Sequence, residues 1–120
     1  MEEPTGNALQ HYYEKQETAI RDCLFALKSI TLSVDKNIIH KRKYQIPFFC
    51  YKEFNLGFLW VHKKKILVGF VEDKKILSEK SYGRKKDSVV TMEIDPLADI
   101  PIEVIKQNFV QLINKYNLVS

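Results

Sequence analysis

Residues 44–60 read YQIPFFCYKEFNLGFLW, and this aromatic stretch decides the fold. Phe54, Phe58 and Trp60 recur at every second or fourth position, and the alternation continues through residues 66–71, ILVGFV. Aromatic and β-branched residues repeating with a period of two are typical of β-strands. We therefore predict two neighbouring antiparallel strands, with the three aromatic side chains on one shared face.

Further strands are predicted on either side of this pair. One lies near residues 46–52, where Pro47 marks its start or edge because proline cannot donate a ladder hydrogen bond. Lys63–Lys65 suit a solvated hairpin turn between the two aromatic strands, and residues 87–95, DSVVTMEID, alternate again. Both faces of the central strands carry apolar residues, so both faces are predicted to be largely covered.

Helical patterns flank the strands. The spacing of apolar residues predicts a helix over about residues 16–32 and a shorter one near residues 7–14. A closing helix is predicted after Asp99, as its N-cap, with Pro101 in the first turn. The order of helices, strands and helix indicates an α+β protein.

Length and composition bound the class. A chain of 120 residues predicts one domain, residues 1–120, with helices from both ends packed on an antiparallel sheet of four or five strands built from residues 46–94. No apolar run approaches the roughly 20 residues that a membrane span needs. The polar start, MEEPTGNALQ, is unlike a signal peptide. We expect a cytoplasmic protein without membrane association, with Cys23 and Cys50 as free thiols.

Positive charge is concentrated in the middle of the chain. The net charge is +4, but residues 36–86 carry fourteen basic and four acidic side chains. Three basic runs, if the hairpin ends align, would form a basic rim suited to single-stranded nucleic acid. Lysines at turns also keep a sheet soluble and its edges unpaired, so both interpretations stay open. The residues of this predicted basic rim are Lys41, Arg42, Lys43, Lys63, Lys64, Lys65, Arg84, Lys85 and Lys86.

The sequence contains no recognisable catalytic or metal-binding signature. His11, His40 and His62 are scattered without the spacing of metal-ligand pairs, so neither a metal nor a cofactor is predicted. There is no glycine-rich phosphate loop. Glu72 and Asp73 are adjacent, and neighbouring residues of a strand point to opposite faces, so they do not form an acid–base pair. We predict a non-enzymatic protein.

The aromatic residues of the quoted stretch admit two interpretations. They are core packed against the helices, or they leave one face open as an apolar pocket or dimer surface. Our leading hypothesis is a domain, monomeric or homodimeric, that binds a small ligand or a protein partner at an aromatic and basic sheet surface. The residues predicted for that surface are Tyr44, Pro47, Phe49, Tyr51 and Trp60.

Two segments resemble a known family. Residues 38–70, IIHKRKYQIPFFCYKEFNLGFLWVHKKKILVGF, resemble the YdhG-like family, the domain of unknown function numbered 1801. Residues 82–113 resemble the final segment of that family, with a glycine, a basic stretch, a strand and a helix. The resemblance covers most of the chain and implies an α+β fold. The matching residues of the first segment are Tyr44, Pro47, Phe49, Tyr51, Gly69 and Phe70.

The resemblance also implies an alternative function, because some members of the family are regarded as frataxin-like iron chaperones. Iron requires carboxylate or imidazole ligands. On this hypothesis iron binding would depend on His40 or on the region of Asp95 and Asp99. The chain departs from the family at Lys65, where a histidine is common, and the surrounding region is basic.

Overall fold

The computed structural model describes residues 4–76 and 86–119. The strands form one antiparallel meander in the order β1-β2-β3-β4-β5, with helices from both ends of the chain. This confirms the predicted α+β fold. The elements are α1 (Pro4–Glu14), α2 (Thr18–Leu32), β1 (Ile38–Lys43), β2 (Ile46–Tyr51), β3 (Phe54–His62), β4 (Lys65–Glu72), a 3-10 turn (Lys74–Ile76), β5 (Ser88–Ile94) and α3 (Ile102–Val119).

The helices share one core with one face of the sheet. The apolar stripes of α2 and α3 bury Leu24, Leu27 and Phe109 completely, against Leu59 and Val68 of the central strands. Burying a side chain of this size stabilises the fold by about 1.5–3 kcal/mol. The helix-side face is therefore the main core of the domain. Within the described residues, no helix is long and apolar enough to cross a membrane.

The first strand was not predicted. Lys41–Lys43 do not precede the sheet but belong to β1, which pairs with β2 from Ile38 opposite Tyr51 to Lys43 opposite Ile46. As an edge strand, β1 exposes half of its residues, and charged side chains there discourage pairing with another chain. The sheet accordingly has five strands and begins at Ile38.

A β-bulge changes the alternation in β3. Leu56 is an extra residue, because Phe49 and Cys50 of β2 pair with residues on either side of it. Phe54 joins the helix-side core, whereas Phe58 belongs to a small cluster on the opposite face. The prediction that Phe54 and Phe58 share one face is therefore wrong.

The face away from the helices, which we call the outer face, carries a small aromatic cluster. Phe48, Cys50 and Val71 are buried there, with Ile46 and Phe58 packed around them. A side chain at Gly69 would collide with the Phe58 ring, so glycine allows that ring to lie against the sheet. No helix of the described residues joins this cluster. The prediction that both faces of the sheet are covered therefore holds for the helix side and not for the outer face.

Helix α2 follows its prediction closely, whereas α1 begins three residues before its predicted start and α3 begins at Ile102. The Pro101 carbonyl accepts the first helical hydrogen bond, from the Ile105 N–H at 3.1 Å. Pro101 thus takes the N-cap position that was predicted for Asp99.

The two cysteines lie on opposite sides of the sheet. Cys23 of α2 belongs to the helix-side core, and Cys50 of β2 to the outer-face cluster. Both are buried and free. The sheet itself separates their sulfur atoms.

Candidate anion-binding site

A cavity of about 650 Å³ opens at the end of the sheet where β2 turns into β3 and where β4 ends. Its walls come from the outer edge of β1, the β2–β3 turn, the 3-10 turn after β4 and the residues before β5. We call it the lysine pocket. It is lined by six lysines and three carboxylates, and the lysines are Lys41, Lys43, Lys52, Lys74, Lys75 and Lys86.

Two of the carboxylates are held by neutral N–H groups. Asp73 is 3% exposed, and its oxygens accept the backbone N–H groups of Asn55 and Lys75 at 2.8 and 2.9 Å. Asp87 accepts the Asn55 side-chain amide and the Lys74 backbone N–H, both at 2.8 Å. These bonds fix the pocket floor and use the carboxylate oxygens without engaging a lysine ammonium.

Tyr116 ties this floor to the helix layer. Its hydroxyl accepts the Asp73 N–H at 2.9 Å and lies 2.7 Å from the carbonyl oxygens of Asn55 and Val71, which share its single proton. Burial raises the pKa of the Tyr116 phenol, so it keeps its proton and remains a donor. The ring stacks on Phe54 at 4.5 Å. A single side chain of α3 thus joins β3, β4 and the segment after β4.

The lysines of the pocket have no carboxylate partner within 4.0 Å in the described part of the chain. The ion pairs there join other lysines, namely Lys64–Glu17, Lys65–Asp95 and Lys115–Glu72. Lys43 and Lys75 instead donate to neutral oxygens, Asn55 Oδ1 at 2.7 Å and the Glu53 carbonyl at 2.6 Å. The lining therefore carries six positive and three negative side chains, an excess of three positive charges, with no described ion pair between them.

The predicted basic rim is not one surface. The structure brings Lys41, Lys43 and Lys86 to the lysine pocket but places Lys63–Lys65 at the opposite end of β3 and β4. Arg42 is exposed on β1 away from the pocket lining. Arg84 and Lys85 lie outside the described residues. Sequence reasoning missed Lys52, Lys74 and Lys75, which stand singly or in pairs in short turns.

Three of the five predicted surface residues are in the core. Phe49 and Tyr51 are 0% and 2% exposed on the helix side, and Pro47 is buried beside them in β2, so none of the three is available to a ligand. These three are the odd-numbered residues of β2, which face the helix side, whereas its even-numbered residues face the outer side. Tyr44 and Trp60 are 72% and 43% exposed, and Tyr44 lines the lysine pocket.

The residues that the family resemblance implied for iron have other partners. His40 Nδ1 lies 3.1 Å from the Phe48 carbonyl, which only accepts, so Nδ1 carries the proton and Nε2 accepts from the Tyr13 hydroxyl at 2.8 Å. Asp95 pairs with Lys65 at 3.5 Å. Over residues 4–76 and 86–119, no group of three or more histidine, cysteine or acidic side chains could hold a metal ion.

Compared with known proteins, the chain matches no family model, no curated protein and no solved structure. The resemblance to the YdhG-like family stays a prediction.

Proposed function

We propose that this protein is a non-enzymatic binding domain whose ligand is a small, multiply charged anion held in the lysine pocket. The observation that carries this proposal is the convergence of six lysines, none within ion-pair distance of a described carboxylate, on one cavity. Like charges that are close together repel, and a bound anion relieves the repulsion. Ligand binding should therefore also stabilise the fold.

The chemistry of the pocket favours phosphate oxygens over an apolar ligand. Lysine ammonium groups are compact point charges on flexible stems, and they bind phosphate well without fixing its orientation. The backbone N–H groups of Asn55, Lys74 and Lys75 already donate to Asp73 or Asp87. Binding then rests on side-chain charge, and its strength should fall as salt is added. The cavity volume lies within the range of small-molecule sites.

Calorimetric titration with inorganic tripolyphosphate at an ionic strength of about 0.1 M tests the proposal. The test variant is Lys74→Gln with Lys86→Gln, because both side chains are exposed and neither ammonium group makes a described hydrogen bond. We expect about a tenfold loss of affinity, since each exposed charge contact contributes up to about 1 kcal/mol and the variant removes two of them.

The matched control is Lys63→Gln with Lys64→Gln, which removes the same charge at the opposite end of the sheet. Its affinity for tripolyphosphate should stay within about twofold of the unmodified protein, because screening weakens exposed charges beyond roughly 10 Å. Equal losses in the two double variants would mean that general surface charge binds the anion. The absence of any binding heat would also refute the proposal.

We further propose that the protein is cytoplasmic and belongs to the YdhG-like family. The two buried free thiols support a reducing compartment, and the aromatic and proline motif of residues 44–51 supports the family. Fractionation of the source cells tests the location. Recovery of the protein in the membrane or exported fraction would contradict it.

A further inference from the structure

A second cavity adjoins the lysine pocket. It measures about 430 Å³ and is lined by Tyr12, Tyr44 and Trp60, with Lys15 at its edge. Tyr44 also lines the lysine pocket, so the two cavities share this residue.

Two of the three aromatic residues of this second cavity have contacts within the protein that orient them. The Tyr44 ring meets the Phe48 ring edge-on at 5.7 Å, and it stands on a tight turn with positive φ. The Tyr12 hydroxyl accepts the Val61 N–H at 3.0 Å. Tyr44 and Trp60 nevertheless leave much of their rings exposed to solvent. The cavity therefore offers prepositioned aromatic surface beside a concentration of positive charge.

We infer that the ligand joins a planar aromatic ring to its anionic group, as a nucleoside diphosphate does, with the ring against Tyr44 and Trp60 and the phosphates among the lysines. The inference rests on the proposed function of the lysine pocket. Aromatic side chains stack on any nucleobase, because every base has a π-face. Lys15, at the second cavity, adds positive charge on the side of the ring.

The test compares ADP with inorganic pyrophosphate by calorimetric titration. We expect ADP to bind about tenfold more tightly, which is the order of one base–aromatic contact. Tyr44→Asn removes the ring, and asparagine tolerates positive φ, so the turn is kept. This variant should lose most of the preference for ADP over pyrophosphate, because Trp60 alone of the two stacking rings remains. Tyr44→Phe is the matched control and should keep the preference for ADP.

Trp60, the single tryptophan of the chain, gives a second readout. Its fluorescence should be quenched by ADP and left unchanged by pyrophosphate. Equal affinity for the two compounds would overturn the inference while the anion pocket stands. Failure of both to bind would overturn the proposed function itself. If a short single-stranded oligonucleotide binds more tightly than ADP, the ligand is nucleic acid and the inference of a mononucleotide is overturned.

Discussion

At the scale of single residues, the lysine pocket depends on the hydroxyl of Tyr116. One buried oxygen serves the Asp73 N–H and the carbonyl groups of Asn55 and Val71. Removal of this oxygen leaves three buried backbone groups without that partner, and an unsatisfied buried polar group costs about 1–3 kcal/mol. The pocket floor and the packing of α3 on the sheet are thus coupled through one side chain.

Tyr116→Phe should lower the free energy of unfolding by about 1–3 kcal/mol, because the ring still stacks on Phe54 while the hydroxyl is lost. Urea denaturation measures the change. Tyr51→Phe is the control: it removes one hydroxyl bond, 2.8 Å long, to the exposed Asn117, and should cost about 1 kcal/mol or less. Equal losses for the two variants would show that Tyr116 is not an anchor of the pocket.

The residues of the pocket floor could not be recognised in the sequence. Asp73 looks like surface charge at a strand end, yet it is buried, because Tyr116 and Asn55 approach it from distant positions in the chain. Lysine runs were singled out in the sequence by their length, whereas the pocket takes one or two lysines from each of four separate segments. Of the residues predicted for the surface, Tyr44 and Trp60 are exposed and Phe49 is buried, because a period of two does not say which face of a strand the helices cover.

At the scale of elements, two hairpin turns have an unfavourable composition. Tyr44 and Gln45 have φ of 55° and 67°, and Lys63 and Lys64 have φ of 50° and 65°. A tight turn with positive φ at both central residues favours Asn-Gly. Side chains other than glycine cost roughly 1 kcal/mol each there.

Gln45→Gly should raise the free energy of unfolding by about 1 kcal/mol, because glycine adopts positive φ without steric cost. Lys64→Gly should give a similar gain at the other hairpin. Thermal or urea denaturation checks both values. Glycine at the exposed Thr91 of β5, where φ is negative, is the control and should destabilise the protein. A loss of stability at Gln45 would mean that its side chain has a structural role in the turn.

Most elements were predicted and two features were not. Strands β3, β4 and β5 follow the alternation of apolar residues, and the helices follow the three-to-four spacing. Strand β1 was not predicted, because its sequence, IIHKRK, is charged on an exposed edge and resembles a linker. The bulge at Leu56 was missed although Gly57 follows it directly, and a glycine inside a strand often marks a bulge.

At the scale of the whole molecule, His40 links the first helix to the edge of the sheet. Its ring stacks on Phe49 at 4.5 Å and accepts a hydrogen bond from Tyr13 of α1. Burial lowers the pKa of His40, and the charge of Lys28 lowers it further, against the raising effect of the Phe48 carbonyl. The folded protein therefore favours the neutral imidazole more strongly than the unfolded chain does.

The pH dependence of stability follows from this difference. The contribution of neutral His40 is complete above the unfolded pKa of about 6.5 and is lost as pH falls from there through the lower folded pKa, because the unfolded chain binds the proton first. Melting temperatures between pH 7.5 and 5 should therefore fall less steeply for His40→Gln than for the unmodified protein. His62→Gln, at an exposed position ending β3, should keep the original dependence. Identical slopes in all three proteins would contradict the argument.

Because the sheet separates Cys23 from Cys50, the rate of thiol labelling at each cysteine reports on the motion of one face of the sheet. A thiol reagent reaches a buried cysteine only when the surrounding structure opens. Cys23 is released when the helix layer lifts from the sheet, and Cys50 when the outer-face cluster loosens. The two labelling rates would therefore report the motions of the two faces separately in one unmodified chain. A ligand at the lysine pocket should slow the labelling of Cys50 more than that of Cys23.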